Sequence, residues 1–527
     1  MLEANRISKV VVIVFSVLVS QSLYGQGVQL HTDQAMDGYT LYESGNTAVL
    51  IDNCGHLLHE WNDVAAQYHP KLMPNGNIIY IESFSRDIVE KDWNDNTINK
   101  LSINSSNIFL DYEVIIMPNG NYLCLARKSF SQSQFESLGY NYGSTQGDGI
   151  GNPSQVDMVV EVDRNTGNIV WQWNVADHVI QERDPSKGNF GVVADHPELL
   201  NMDAIATYDW TFQESFMING FDYNAELDQI VLSIRKMSEI VIIDHSTTTA
   251  EAAGHSGGNS GKGGDILYRW GNPQNYGQGD GTERELYFQH NPNWIKYGSL
   301  KGNIIMYNNG LNRPGTNYSA VPIINTEVDV NGDYTIQGNG IYSPEEPSLE
   351  YSPGPSGLGY YGFYSGYTSA AKILTNGNVL VTVGGDDEIF EMTPDGSVVW
   401  IYGLYQSDLT FRVEKYASDY PAFDGRDLTA GDVLEFPPST ISCTLVDVED
   451  AYFDNSHAWI ADSQVNLTTD ISGYLTFKMY SLDGQLLIDT KFLGDYSIDI
   501  SDFSEGIYFI NIKTEQFNKS ITFKVSK

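Results

Sequence analysis

K-L-M-P-N-G-N-I-I-Y (Lys71–Tyr80) returns as I-I-M-P-N-G-N-Y-L-C (Ile115–Cys124) and again as K-I-L-T-N-G-N-V-L-V (Lys372–Val381). Asn-Gly at the centre of a tight turn supplies residues with positive φ, and the flanking apolar residues make two strands. Each copy therefore reads as a β-hairpin. The step from the first copy to the second suits one four-stranded blade of a radial repeat. A second unit is a turn followed by a strand ending in tryptophan. It reads D-R-N-T-G-N-I-V-W-Q-W (Asp163–Trp173) and T-P-D-G-S-V-V-W-I-Y (Thr393–Tyr402), with further copies G-H-L-L-H-E-W (Gly55–Trp61) and G-G-D-I-L-Y-R-W-G (Gly263–Gly271). Each is expected to be an outer strand whose Trp packs between blades. Short β-rich runs fill residues 30 to 435 with almost no helical periodicity. The expected architecture is all-β: a six-bladed β-propeller, which solves the edge-strand problem by closing on itself, followed by a small C-terminal β-sandwich.

Composition agrees. At 527 residues more than one domain is expected, and 12% aromatic residues with 49 glycines favour β structure. The formal net charge of −39 repels phosphate backbones and anionic lipid, so no nucleic-acid partner is expected. The first 25 residues carry Arg6 and Lys9, the apolar run Val10–Val19, and the small or polar Ser20–Gly25. This reads as a secretory signal peptide too short to span a bilayer. No later run approaches a membrane span. Cys54, Cys124 and Cys443 lie far apart and form neither metal spacing nor a disulfide framework, although one pair is open to bridging. The expected divisions are a signal peptide over 1–25, a propeller over 26–436, a linker over 437–450 opened by Pro437 and Pro438, and a sandwich over 451–527.

Several motifs are excluded on spacing. The loop G-H-S-G-G-N-S-G-K-G-G-D (Gly254–Asp265) is not a phosphate loop, because Lys262 is followed by Gly rather than Ser or Thr. There is no H-E-x-x-H, no close His pair with carboxylates and no G-x-S-x-G elbow, and D-V-N-G-D (Asp329–Asp333) reads as a plain turn. No metal and no cofactor are expected. The stretch from Met217 to Trp294 draws attention instead. It holds M-I-N-G-F-D-Y-N (Met217–Asn224), L-S-I-R-K-M (Leu232–Met237) and Y-F-Q-H-N-P-N-W (Tyr287–Trp294). Asn219, Arg235 and His290 are its candidate catalytic residues: an amide donor, a bidentate anion clamp, and a nucleophile or proton carrier.

The order of these motifs, from the P-N-G-N turn through S-x-R, I-I-D-H-S-T-T-T, W-G-N-P and Q-H-x-x-W to F-R-V-E-K-Y (Phe411–Tyr416), resembles the bacterial arylsulfate sulfotransferase family. The resemblance implies a six-bladed propeller that moves a sulfuryl group from a phenolic sulfate ester to a phenol through a sulfated histidine, without a nucleotide donor. It implies that His290 is the nucleophile, Arg235 the sulfuryl-binding arginine, and Asn219 the asparagine of an H-x-N motif. Two positions depart from the family. Met217 stands where the first His of H-x-N is expected, and Tyr112 or Asp111 stands where another channel histidine is expected. Tyr112, Met217 and His69 are therefore candidate substrate-contacting residues, with His69 a candidate replacement. The tail, with D-F-S-E-G-I-Y-F-I-N-I-K (Asp502–Lys513) and a last basic strand, resembles the sorting domain of type IX secretion. That implies export to the cell surface or beyond, with the secretion machinery as partner. Small aryl sulfates and phenols are the other expected partners. The alternative is a catalytically degenerate propeller that binds an aromatic, sulfated or glycan ligand in the same channel.

Overall fold

The computed structural model describes residues 10–12, 27–66, 68–140, 154–204, 216–329, 332–352, 363–404 and 410–434. It also describes 457–461, 464–468, 474–481, 486–493, 496–501, 507–514 and 520–526. The protein is nearly all-β. Among the described residues the α-helices are two short ones, Gln132–Ser137 and Thr249–Ala252. The chain divides into two compact units, one built mainly from residues 35–440 and the other mainly from 441–527. The candidate linker 437–450 and all of the signal segment except Val10–Val12 lie outside the described residues. No described helix is long and apolar enough to cross a membrane.

In the larger unit, the described residues form six sheets of four antiparallel strands, numbered from the N-terminus, and a short parallel pair, Val179–Ile180 with Leu200–Asn201. Sheet 1 runs Glu414–Ala417, Gly38–Ser44, Thr47–Ile51, Leu57–Trp61, so a late strand completes an early sheet, with Tyr416 opposite Tyr39. Sheet 2 is Lys71–Leu72, Ile78–Ile81, Ile88–Lys91, Thr97–Leu101. Sheet 3 is Ile108–Ile116, Tyr122–Ser129, Gln155–Val162, Ile169–Asn174. Sheet 4 is Ile218–Asn224, Gln229–Ile234, Glu239–Asp244, Tyr268–Trp270. Sheet 5 is His290–Trp294, Ile304–Tyr307, Val321–Ile324, Leu349–Ser352, with Val10–Val12 parallel on its outer edge. Sheet 6 is Ala370–Ile373, Val379–Val383, Glu388–Met392, Val398–Gly403, with Gly27–His31 on its outer edge.

The Asn-Gly repeats join the first two strands of sheets 2, 3 and 6, but through a different turn from the one expected. Only the glycine has positive φ: 86° at Gly76, 87° at Gly120 and 92° at Gly377. In the first copy Gly76 N–H donates to Met73 O at 2.9 Å, Met73 N–H donates to Asn77 O at 2.8 Å, and Asn77 N–H reaches Asn75 Oδ1 at 3.0 Å. This is a type I turn closed by a left-handed glycine. Pro74 fixes a negative φ at the first corner and so excludes the two-residue hairpin in which both corners are positive.

The second Asn of each turn links one sheet to the next. Asn77, Asn121 and Asn378 donate through Nδ2 to Glu90, Glu161 and Glu391 on the third strand, at 2.7, 2.6 and 2.5 Å. Each Glu then reaches a cation or histidine of the following sheet: Arg164 at 2.5 Å, His245 at 3.1 Å and Lys415 at 2.8 Å. The strand-ending tryptophans act in the same sense. Trp61, Trp173, Trp270 and Trp400 are buried, and their indole N–H groups donate to carbonyls of Asp92, Gly264, Pro344 and Asn53, each beside the following sheet. A buried indole whose polar edge is satisfied contributes its full apolar area, and truncating one to Ala costs about 3–5 kcal/mol.

The smaller unit holds two sheets. One is His457–Ala461, Gln464–Thr468, Tyr496–Asp499; the other is Leu486–Leu493, Tyr474–Ser481, Ile507–Thr514, Ser520–Ser526 in that order. Phe477 and Met479 are buried while Thr476 and Lys478 are half-buried, the period-two pattern of a strand with one face on a core. Of the cysteines, Cys54 is disulfide-bonded and Cys124 is a buried free thiol.

Candidate active site

The opening strands of sheets 3, 4 and 5 share a defect. Their pairing slips between Asp111 and Val114, between Ile218 and Phe221, and between His290 and Asn293. Beside each slip stands a residue with positive φ: Tyr112 at 59°, Met217 at 60° and Asn291 at 54°. Bulges of this kind re-aim side chains out of the sheet pattern. All the sequence-predicted positions except His69 and Arg235 sit at these slips, and Arg235 directly follows the second strand of sheet 4.

His290 is buried, with Nδ1 2.7 Å from Asn309 Oδ1. The orientation of the Asn309 amide is set elsewhere, because its Nδ2 donates to the carbonyls of Ser365 at 2.8 Å and Thr368 at 3.0 Å. Oδ1 therefore faces the imidazole, and Nδ1 must carry the proton. Nε2 keeps its lone pair. Burial, and then the positive Arg235 beside it, push His290 down to about 3, against the hydrogen bonds it makes to Asn309 and to the Phe288 backbone. The imidazole is neutral at any ordinary pH.

The backbone that carries His290 is also held. Gln289 donates through Nε2 to Ser233 Oγ at 3.0 Å and to Glu239 O at 2.8 Å, and its own carbonyl accepts from Asn219 Nδ2 at 2.9 Å. Asn219 thus spends one amide N–H on positioning the peptide before His290, while its buried Oδ1 has no hydrogen-bond partner. Arg235 is buried with its guanidinium 4.9 Å above the Phe288 ring, and Nη1 lies 3.8 Å from Met217 Sδ. Burial lowers its pKa from the usual value, the nearby Tyr112 opposes this, and the group remains a cation. Met217 is pinned by its backbone: Asp157 accepts from the N–H groups of Phe216, Met217 and Ile218 at 3.1, 3.0 and 3.3 Å.

Aromatic rings complete the group. Tyr112 stacks on Tyr68 at 4.4 Å and 9°, and Phe411 lies 5.7 Å from Tyr112 and 5.5 Å from His290, edge to face with the imidazole. His290, Arg235, Met217 and Tyr112 are therefore neighbours, and Asn219 joins them through Gln289. His69 is placed in a different cluster. Its charged neighbours are Arg412, Lys71, Glu414 and Lys372, and neither ring nitrogen has a hydrogen-bond partner. Nε2 is 3.9 Å from Glu113, and burial drives its pKa well below the usual value. A cleft of about 370 Å³ is lined by Lys71, Glu113, Lys372, Arg412 and Glu414 and by Asn291 of the His290 strand, and neither His69 nor His290 is in its lining. Asn309, Gln289, Tyr68, Phe288 and Phe411 were not singled out from sequence. Phe288 and Gln289 sit in the quoted Y-F-Q-H, and Phe411 opens the quoted F-R-V-E-K-Y, so those motifs held a signal. Asn309 carried none.

Residues 31–326, more than half of the chain, match the family described as Arylsulfotransferase (ASST). The chain belongs to the arylsulfotransferase family. Residues 461–526 of this arylsulfotransferase family member match the secretion system C-terminal sorting domain, which supports secretion to the cell surface or extracellular space. No curated protein matches at a significant level. Among solved structures, a protein of unknown function from Bacteroides caccae is 10% identical, with 72% of this chain and 98% of that chain covered and a TM-score of 0.38. A functionally unknown protein from Desulfotomaculum acetoxidans is 9% identical over 72% of this chain and 100% of that one, at a TM-score of 0.36. Likenesses this loose transfer neither fold nor activity.

Proposed function

We propose that this arylsulfotransferase family member transfers a sulfuryl group from a phenolic sulfate ester to a phenol through His290. The observation that carries the reading is the fixed tautomer: Asn309 holds the Nδ1–H, so Nε2 keeps a lone pair on a ring that also feels the Arg235 cation. In the first step Nε2 bonds to sulfur, the bond from sulfur to the aryl oxygen breaks, and the phenoxide leaves with that electron pair. In the second step the acceptor phenol's oxygen bonds to sulfur, the N–S bond breaks, and the acceptor's proton passes to solvent or to the departed phenoxide. Arg235 stabilises the equatorial sulfuryl oxygens, and the face of Phe288 keeps the guanidinium aimed. Tyr112, Tyr68 and Phe411 supply the surface on which an aryl ring stacks.

Around this site we read the six sheets as the blades of a propeller spanning residues 26–436. The tryptophan and Asn–Glu links, which between them join every sheet but sheet 5 to its successor, and the completion of sheet 1 by Glu414–Ala417, support it. Residues 1–25 are read as a signal peptide, 437–450 as a linker, and 451–527 as a β-sandwich that carries the chain through type IX export. Met217 and Tyr112 in place of two histidines favour a second reading, a binding propeller that has lost turnover. The mature protein incubated with 4-nitrophenyl sulfate and phenol distinguishes them. Release of nitrophenol above the His290→Ala level supports the enzyme. Aryl sulfate binding without release, lost in Arg235→Ala, supports the binding propeller.

A further inference from the structure

The loop Gly254–Asp265 does not serve the His290 group, yet it is tightly built. Gly263 N–H donates to Gly257 O at 2.9 Å and Gly264 N–H to Gly254 O at 3.0 Å, drawing the two ends of the loop together. A Cβ on Gly264 would lie 2.0 Å from Ala252 O and 2.6 Å from His178 Nε2, so only glycine lets the loop press onto His178. The result brings three side chains to one point. His178 Nδ1 is 3.1 Å from Asp265 Oδ1, and His255 Nδ1 is 2.7 Å from that same oxygen. The two imidazole planes stand at 88° with centroids 5.9 Å apart.

The hydrogen-bond chemistry of this cluster calls for a positive charge between His178 and Asp265. His178 Nε2 faces the carbonyl of Ala252 at 2.8 Å, an acceptor only, so Nε2 must carry a proton. In the neutral ring Nδ1 is then a bare lone pair, and it points at a carboxylate oxygen. His178 is fully buried. Two acceptors this close repel unless a second ring proton or a metal cation lies between them. We propose that His178 Nδ1, His255 Nδ1 and Asp265 together bind a divalent transition-metal ion of the zinc type. Two imidazole nitrogens and one carboxylate are a zinc donor set, whereas calcium and magnesium call for oxygen throughout. Metal–ligand bonds of about 2.0–2.1 Å place tetrahedral ligands roughly 3.3 Å apart, close to the separations seen. Ala252 O, by taking the Nε2–H, fixes the ring orientation as an outer partner of a metal-bound histidine does. His255, exposed, leaves a fourth position open to water. The ion would clamp the loop of sheet 4 onto the turn that ends sheet 3, beside the Trp173–Gly264 link.

Zinc added to the full mature chain after chelation, then measured by elemental analysis following dialysis, tests this. One equivalent of zinc per chain is expected, with a rise in melting temperature, no matching rise with calcium, and a tetrahedral visible spectrum with cobalt. His255→Ala is exposed and spares the fold; it and Asp265→Asn should each weaken zinc binding at least about tenfold. An imidazolium–carboxylate pair only would show no zinc uptake and an unchanged melting temperature, and would overturn the proposal. Stoichiometric zinc retained by both variants would overturn it equally, since the ion would then lie elsewhere.

Discussion

His290 donates its Nδ1–H to Oδ1 of Asn309 at 2.7 Å, and the reverse arrangement is excluded by the two carbonyls that Asn309 serves with its amide nitrogen. Asn309→Leu keeps the volume and removes this constraint. The ring is then free to turn or to shift its proton, and misplacement on this scale costs about a hundredfold in rate. Steady-state turnover of 4-nitrophenyl sulfate, with circular dichroism to confirm folding, measures it.

The pH behaviour has a definite sign. His290 titrates at about 3 in the folded chain, below the unfolded value of about 6.5. Between the two the unfolded chain binds the extra proton, so this contribution to stability is complete above about 6.5 and is lost as pH falls toward 3. Glu113 and Glu414 act in the same direction lower down. Burial opposes their ionisation, but Arg412 and Lys71 at Glu113, and Lys372 and Arg412 at Glu414, hold both at about 2. Glu43, Glu285 and Glu388, which burial raises to about 8, 7 and 7, act in the opposite sense. The His290 contribution is therefore read as the difference in urea midpoint between the natural chain and His290→Ala, which should shift against the natural chain as pH falls from 7 to 4. Turnover per folded molecule should show no inflection near 6.5, because the nucleophile is already neutral.

Met217 occupies a left-handed backbone position, a conformation that histidine adopts more readily than most residues. Met217→His therefore fits and supplies a donor that a thioether lacks. A restored acid–base group raises turnover by about 10²-fold where the leaving phenol is weakly acidic, and little with 4-nitrophenol, which leaves unaided. Comparing rates across a series of aryl sulfates gives the slope that checks this.

Arg269 is fully buried and bidentate to Glu239, at 3.1 and 2.6 Å, with Nη1 donating to the carbonyls of Pro197 and Leu199. Arg269→Leu leaves a buried carboxylate alone, and should destabilise the larger unit by about 3–5 kcal/mol in urea unfolding. Asn219 and Gln289 pack against the same strands, so activity should fall with stability in this variant.

The hairpins were legible because a type I turn closed by glycine is written in five consecutive residues, and the strand-ending tryptophans because they recur at fixed offsets from their turns. The turn type was not legible: in two copies the corner proline outweighs the Asn-Gly signal, and in the third Thr375 holds the same corner. His290 and Arg235 were visible as motifs, but their supports were not. Asn309 belongs to a different strand connection, and Phe411 reaches His290 only because the chain returns to complete sheet 1. His178, His255 and Asp265 were invisible as a group for the same reason: their proximity is made by the packing of one sheet's loop on its neighbour's turn, which no spacing along the chain encodes.

Transfer through His290 requires a covalent sulfohistidine, which can be read directly. The mature protein mixed with 4-nitrophenyl sulfate in the absence of acceptor, quenched within a turnover and digested, is analysed by mass spectrometry. A sulfuryl group on the peptide containing His290, absent in His290→Ala and discharged when phenol is added, is the predicted result. Nitrophenol release with no sulfated His290, or a sulfuryl group on another residue, would contradict it.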